Sequence, residues 1–205
     1  MGCAATSFDA DHAVPMDLRW PVGPHCAPAA PPGAAERILS RRAVDLLDVG
    51  FDDDVLEVGF GAGLGLALAR ARGARFVAGV EASEGVVRAA HRQVGHRAVD
   101  LRVGAVASLP WADGTFTRAL VVNDLHLWDW PLDGLRELRR VLAPGGRLVI
   151  GLRCAVPGVE SPAPPELPLE TVGVLLRMLP TAGFRGAGIE RPLDDRPFAY
   201  LVAHA

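Results

Sequence analysis

The stretch that decides the reading is VLEVGFGAGLGL, Val55–Leu66. An apolar run carries one acid, Glu57, and then breaks into glycines at alternate positions: Gly59, Gly61, Gly63 and Gly65. Apolar residues on both sides of Glu57 suit a strand buried on both faces. The glycines suit a turn whose backbone can come close to a nucleotide, with a helix behind it.

Outward from this stretch, strand and helix patterns alternate. Strands are expected at 54–59, 75–81, 99–104, 118–123 and 147–153, with helices at 63–72, from Ser83 to about Val94, and over Leu132–Leu142. An earlier helix carries Ala35, Ile38, Leu39, Ala43, Leu46 and Leu47 on one stripe and can end at Gly50. A last helix over 169–179 precedes short strands at 186–190 and 198–205, with a break expected at Pro180. This alternation calls for a parallel sheet covered on both faces, whose ligands bind outside the carboxyl ends of the strands at the switch point. Residues 1–33 hold six of the 17 prolines and read as an arm, leaving 34–205 as a single domain.

The glycines do not fit a dinucleotide. In the G-x-G-x-x-G fingerprint the third glycine would fall on Leu64 or Leu66. Two acids are more informative. Glu81 ends the second strand, where a carboxylate can accept from both hydroxyls of a ribose. Glu57 lies on the first strand beside the loop, where it would repel a pyrophosphate and attract an ammonium. A ligand with a ribose at one end and an amino acid at the other meets both demands, and S-adenosylmethionine is such a ligand.

The chain from about residue 35 onward resembles the class I S-adenosylmethionine-dependent methyltransferases, in particular the small quinone-biosynthesis type. VLEVGFGAGLGL is similar to the family's E/D-x-G-x-G-x-G motif, VAGVEAS to its ribose-binding motif, SLPWADGTF and VVNDLHLW to its fourth-strand region, and LRELRRVLAPGGRLVI to the helix, turn and strand that follow. The resemblance implies a Rossmann-like, doubly wound α/β fold: seven strands, mostly parallel, helices on both faces, the last strand antiparallel. It also implies roles. Glu57 would lie near the methionine end, Gly59, Gly61 and Gly63 would line the loop, and Glu81 would hold the ribose. Ala82, Ala105 and Val106 would border the adenine, and Asn123 would offer backbone near the methionine. The family usually has an acid where Ala105 stands, and another where Thr117 stands.

His126 is the candidate catalytic residue: a histidine just past the fourth strand suits taking a proton from a hydroxyl or amine. Packing beneath a lid is the plainer reading. Asp124 is a rival base, with capping or a solvent-facing position as its plainer reading. Trp111, Trp128 and Trp130 either wall an apolar acceptor pocket or simply pack. Arg41, Arg42, Arg139 and Arg140 read as solvated helix faces.

Composition narrows the classes. The net charge of −3 gives no basic footprint for nucleic acid or an anionic membrane. All 21 cationic side chains are arginine, so no P-loop lysine, Schiff-base lysine or Tyr-x-x-x-Lys pair is possible. Cys3, Cys26 and Cys154 are too few and too scattered for a disulfide framework, and with His12 and His25 they show no metal-ligand spacing, so no metal is expected. No signal peptide or membrane span is evident, and a cytoplasmic location is expected. The expected activity is methylation of a small, partly apolar molecule at oxygen or nitrogen, with a homodimer left open as the assembly. The alternative is a non-methylating partner or regulatory protein that keeps the cofactor fold.

Overall fold

The structure, a computed structural model, describes residues 32–94, 99–155, 167–190 and 198–205. Most of the Pro-rich arm and the loop 156–166 therefore lie outside the described residues.

Seven strands form one sheet. In chain order they are β1 (Asp54–Val58), β2 (Phe76–Glu81), β3 (Val99–Val103), β4 (Phe116–Val122), β5 (Leu142–Arg153), β6 (Arg185–Glu190) and β7 (Phe198–His204). Their spatial order is β3-β2-β1-β4-β5-β7-β6. The first five are parallel, and β7 runs antiparallel to both β5 and β6. The chain therefore reverses its direction of travel across the sheet between β1 and β4, which places the switch point beside the Gly-rich turn. The expected Rossmann-like sheet is the one observed.

Side-chain alternation along the strands divides the core in two. Leu56, Val58, Ala78, Val80, Ala119, Val121, Leu148 and Ile150 meet helices α4 (Pro131–Val141) and α5 (Leu169–Thr181). Val55, Val77, Leu120, Val149 and Tyr200 meet α1 (Ala34–Leu47), α2 (Leu64–Ala71) and α3 (Glu84–Val94). Glu57 falls in phase with Val55, so an acid is committed to the buried face beneath α2.

Four local expectations change. Helix α1 ends on Asp48, at φ 57°, rather than on Gly50. The Gly50 N–H instead donates to Asp53 Oδ2 at 2.8 Å. Ile38 lies partly outside the buried stripe, and Val44 replaces it. β5 begins at Leu142, five residues early, because the Gly145 N–H donates to the Ala205 carbonyl and the Ala205 N–H to the Gly146 carbonyl. The APGG turn thus joins the ladder after a register shift against β4. Finally, α5 runs through Pro180 to Thr181. A proline this close to a helix end forfeits a single hydrogen bond, and the Ala182 N–H still reaches Met178 O at 2.9 Å. The stop comes at Gly183, at φ 95°.

Candidate cofactor and active site

The carboxyl ends of β1, β2 and β4 converge on the Gly-rich turn. Gly59, Gly61 and Gly63 all have positive φ (66°, 49° and 77°), a conformation that disfavours any other residue. The turn is tied down by its neighbours. The Gly59 N–H donates to Val80 O at 2.9 Å, and the Gly63 N–H donates to Phe60 O at 2.7 Å. The Phe60 side chain is buried and occupies the space above Gly79 on β2, so the one aromatic residue of the turn anchors it to the sheet.

The glycines have different neighbours. Beyond Gly61 nothing lies within 4 Å of where a side chain would begin. At Gly59 a Cβ would collide with the Asp124 carboxyl, and at Gly65 with the Glu57 carboxyl. Along the chain the loop glycines look alike, each as room for a ligand. At Gly59 and Gly65 the room is taken by acids of the chain itself, whereas Gly61 faces open space.

Glu57 is 3% exposed and sits against the first turn of α2, accepting from the Leu66 N–H. Its Oε2 has no hydrogen-bond partner among the described residues. Burial, reinforced by the negative charges of Asp124 and Glu81, pushes its carboxyl up to about 8, despite the Leu66 N–H. Glu81, at the end of β2, accepts from the Gly61 N–H at 3.3 Å and the Ser83 N–H at 3.1 Å. Its carboxylate keeps lone pairs for further donors and braces the open glycine. Just past the ends of β2 and β3, Ala82 and Ala105 are exposed and Val106 is half-buried. Asn123 adopts φ 50°. Its N–H donates to Gly151 O at 2.8 Å, and its Oδ1 accepts from the Arg153 N–H at 3.3 Å, so both its backbone and side chain are tied to β5.

The residues present fit a ligand with a ribose and a cationic amino-acid end. The buried unpartnered oxygen of Glu57, the open space at Gly61 and the braced carboxylate of Glu81 lie at one switch point.

A methyltransferase-domain family matches residues 56–150 of the chain. The uncharacterized methyltransferase YdaC of Bacillus subtilis (strain 168) is 28% identical over 77% of this chain and 82% of its own length. The demethylmenaquinone methyltransferase of Corynebacterium kroppenstedtii is 33% identical over 73% of this chain, which spans 60% of that relative. Residues 56–150 form a methyltransferase domain, and these similarities support a class I S-adenosylmethionine-dependent methyltransferase. Its fold is shared with a SAM dependent methyltransferase from Aquifex aeolicus, with a TM-score of 0.68 at 21% identity over 85% of this chain and 93% of the other. The cofactor of this methyltransferase family is S-adenosylmethionine.

The remaining candidates separate. His126 is half-buried in a short 3-10 turn, Leu125–Leu127, at the carboxyl end of β4, with Nδ1 sealed from solvent. Asp124, just before that turn, is half-buried and does not cap the turn with its side chain. Its carboxyl packs on Gly59, and its Oδ2 accepts from Trp128 Nε1 at 2.7 Å. The Trp128 ring is buried over Gly134, where a Cβ would come within 2.6 Å of it. The Asp124–Trp128 pair is underrated by the sequence pattern, although its i, i+4 spacing just past a strand end is a visible signal.

Trp111 is not near the site. It packs edge-on against Phe116 at 5.4 Å, and its Nε1 donates to Asp100 Oδ2, at the amino ends of the strands. Trp130 is 40% exposed. The three tryptophans therefore do not form one wall. Arg41 and Arg42 are exposed on α1, as expected. Arg139 and Arg140 are not solvated faces. Arg139 Nε donates to Gly183 O, and Arg140 bonds Glu137, Asp113 and the carbonyls of Leu109 and Trp111. Thr117 replaces the usual acid and is structural: its hydroxyl donates to Asp53 Oδ1 at 2.7 Å and accepts from the Asp54 N–H at 3.0 Å. Cys3, His12, His25 and Cys26 lie outside the described residues. Among the described residues no group of three potential metal ligands occurs, and no helix is long and apolar enough to cross a membrane.

Proposed function

We propose that this methyltransferase transfers a methyl group to a small, partly apolar molecule at oxygen or nitrogen. The observation that carries the reading is the switch-point arrangement, with Gly61 open beside Glu81 and the unpartnered oxygen of Glu57. The cofactor supplies a methyl group on a positively charged sulfur, a strong leaving group. The protein's part is then mainly alignment and exclusion of water.

In this reading Glu57 receives the ammonium group and Glu81 the ribose hydroxyls. Gly59, Gly61 and Gly63 let the turn run close to the ligand. Ala82, Ala105 and Val106 border the adenine, and backbone at Asn123 meets the methionine portion. With Ala105 in place of an acid, one polar contact to the adenine amino group is lost, worth about 1 kcal/mol. His126 takes the proton released by a hydroxyl acceptor, and does so through Nε2, since Nδ1 is sealed off. The Pro-rich arm and the loop 154–168, which the sequence suggests as acceptor elements, lie largely outside the described residues. The apolar acceptor draws support from the demethylmenaquinone methyltransferase relative, whose name points to a quinone.

Titration calorimetry tests the cofactor assignment. S-adenosylhomocysteine should bind in the micromolar range, and NADH should not. Tighter binding of NADH would refute it. A methyl-acceptor screen over phenols, amines and carboxylates then tests the substrate class.

A further inference from the structure

A carboxyl group deep in a fold keeps its charge only where donors or a cation hold it. Glu57 is 3% exposed and lies in the space that Gly65 leaves by lacking a side chain. It accepts from the Leu66 N–H. Its Oε2 is sealed from solvent and has no donor among the described residues.

The elements packed around Glu57 bring no cation to it. On β1 the other acid, Asp54, stands at the opposite end of the strand with Arg75. β2 ends in Glu81 and β4 is followed by Asp124, and both are acids that oppose a negative charge on Glu57. The one cation of β4, Arg118, is at the amino end with Asp53. The one charged residue of α2, Arg70, is exposed in the last turn, and the charged residues of α1 are exposed as well. Burial with a single donor and no cation favours the neutral acid, in keeping with a carboxyl pushed up to about 8.

We propose that cofactor binding is coupled to loss of a proton: Glu57 is protonated in the protein alone and releases its proton to solvent when the cationic amino-acid end of the cofactor arrives. The proposal rests on the S-adenosylmethionine reading and adds a pH dependence of cofactor affinity. An ammonium within about 4–6 Å favours the ionised carboxylate, so it need not touch the sealed oxygen. One O–H bond of Glu57 breaks, the proton passes to the buffer, and the ammonium keeps its own protons. While Glu57 is protonated in the protein alone, each bound ligand displaces a proton and affinity rises with pH. Once Glu57 is ionised in both states the dependence ends.

Two ligands isolate the amino-acid end. S-adenosylhomocysteine carries it, and 5′-methylthioadenosine lacks it. Calorimetric titrations at pH 7.0 in phosphate and in Tris, buffers of small and large ionisation enthalpy, count the protons exchanged. The parent should release about half a proton or more with S-adenosylhomocysteine and none with methylthioadenosine. From pH 6.0 to 7.5 its affinity for S-adenosylhomocysteine should rise about tenfold, and that for methylthioadenosine should stay within twofold. Glu57→Gln, which keeps the shape and cannot ionise, should abolish both the release and the rise. The two-ligand comparison in the parent decides the matter if that variant does not fold. S-adenosylhomocysteine binding without proton release overturns the proposal and leaves the cofactor reading standing. Equal release with both ligands, or release that persists in Glu57→Gln, also overturns it, because the proton then comes from another group. A parent protein that binds neither ligand overturns the cofactor reading itself, and the proposal with it.

Discussion

The two ends of the same parallel sheet treat their acids in opposite ways. At the amino ends each of five acids has an arginine. Arg75 pairs with Asp54, Arg102 with Asp100, Arg118 with Asp53 and Arg140 with both Glu137 and Asp113. Hydrogen bonds from Arg102 and Arg140 hold Asp100 and Glu137 below the usual carboxylate range. At the carboxyl ends Glu81 is held by backbone N–H groups and Asp124 by an indole. Glu57 is pushed up to about 8 by burial, and the charges acting on it are negative. Acids that only hold the fold are neutralised by arginines of the chain. The hydrogen bonds described for Glu81 and Asp124 at the switch point come instead from backbone N–H groups and an indole, and burial favours the protonated form of Glu57.

The contrast is open to direct attack, and the largest effect is expected at Glu57. Its carboxyl rises from 4.5 to about 8 on folding, so the folded protein binds the proton more tightly than the unfolded chain. Below 4.5 both states are protonated and nothing is lost. Between 4.5 and about 8 the unfolded chain ionises first, so this group's contribution to stability falls as pH rises. The cost approaches roughly 3–5 kcal/mol above pH 8, since each tenfold change in proton affinity is worth about 1.4 kcal/mol. Glu57→Gln should therefore be more stable than the parent near pH 9 and nearly equal to it near pH 4. Urea denaturation across that range checks this, and a gap that does not grow with pH contradicts it.

The effect at His126 is expected to be next in size. With a hydroxyl acceptor, His126→Ala should cut turnover by about 10²–10⁴-fold and leave cofactor affinity almost unchanged. The parent's rate should rise with pH through an imidazole titration, and the variant's should not. Parental turnover with a parental pH profile removes His126 from the mechanism and leaves the cofactor site intact.

A pair of variants then sets one end against the other. Arg140→Ala removes donors to two carbonyls and two acids and should cost about 2–3 kcal/mol of stability, with little change in cofactor affinity. Glu81→Ala should do the reverse, weakening S-adenosylhomocysteine by more than tenfold, roughly 1.5–3 kcal/mol, while circular dichroism stays native. If the two variants affect stability and binding alike, the division between the ends is false. The smallest effect is expected at Ala105. Ala105→Asp should tighten S-adenosylhomocysteine several-fold by restoring an acceptor for the adenine amino group. Weaker binding would mean that another group already fills that place.

Much of this molecule is legible along the chain because it rests on local regularities. Apolar runs broken by glycine mark β1 and its turn, since a strand buried on both faces needs the one and a tight turn at positive φ needs the other. Glu57 and Glu81 stand out as acids at the ends of such runs. Proximity across the sheet is not legible in this way. Nothing around Gly59 shows that its missing side chain makes room for Asp124, far along the chain, because that contact exists only once β1 and β4 are neighbours. Trp111 lies close to Trp128 in sequence and at the opposite end of the sheet in space, since β4 runs the height of the sheet between them. Arg140 looks like any charge on a helix face until the 109–113 loop folds over it. Periodicity and turn chemistry act within a few residues and specify the elements. The pairing of charges, and the distinction between an acid that braces and one that binds, depends on which elements the sheet brings side by side.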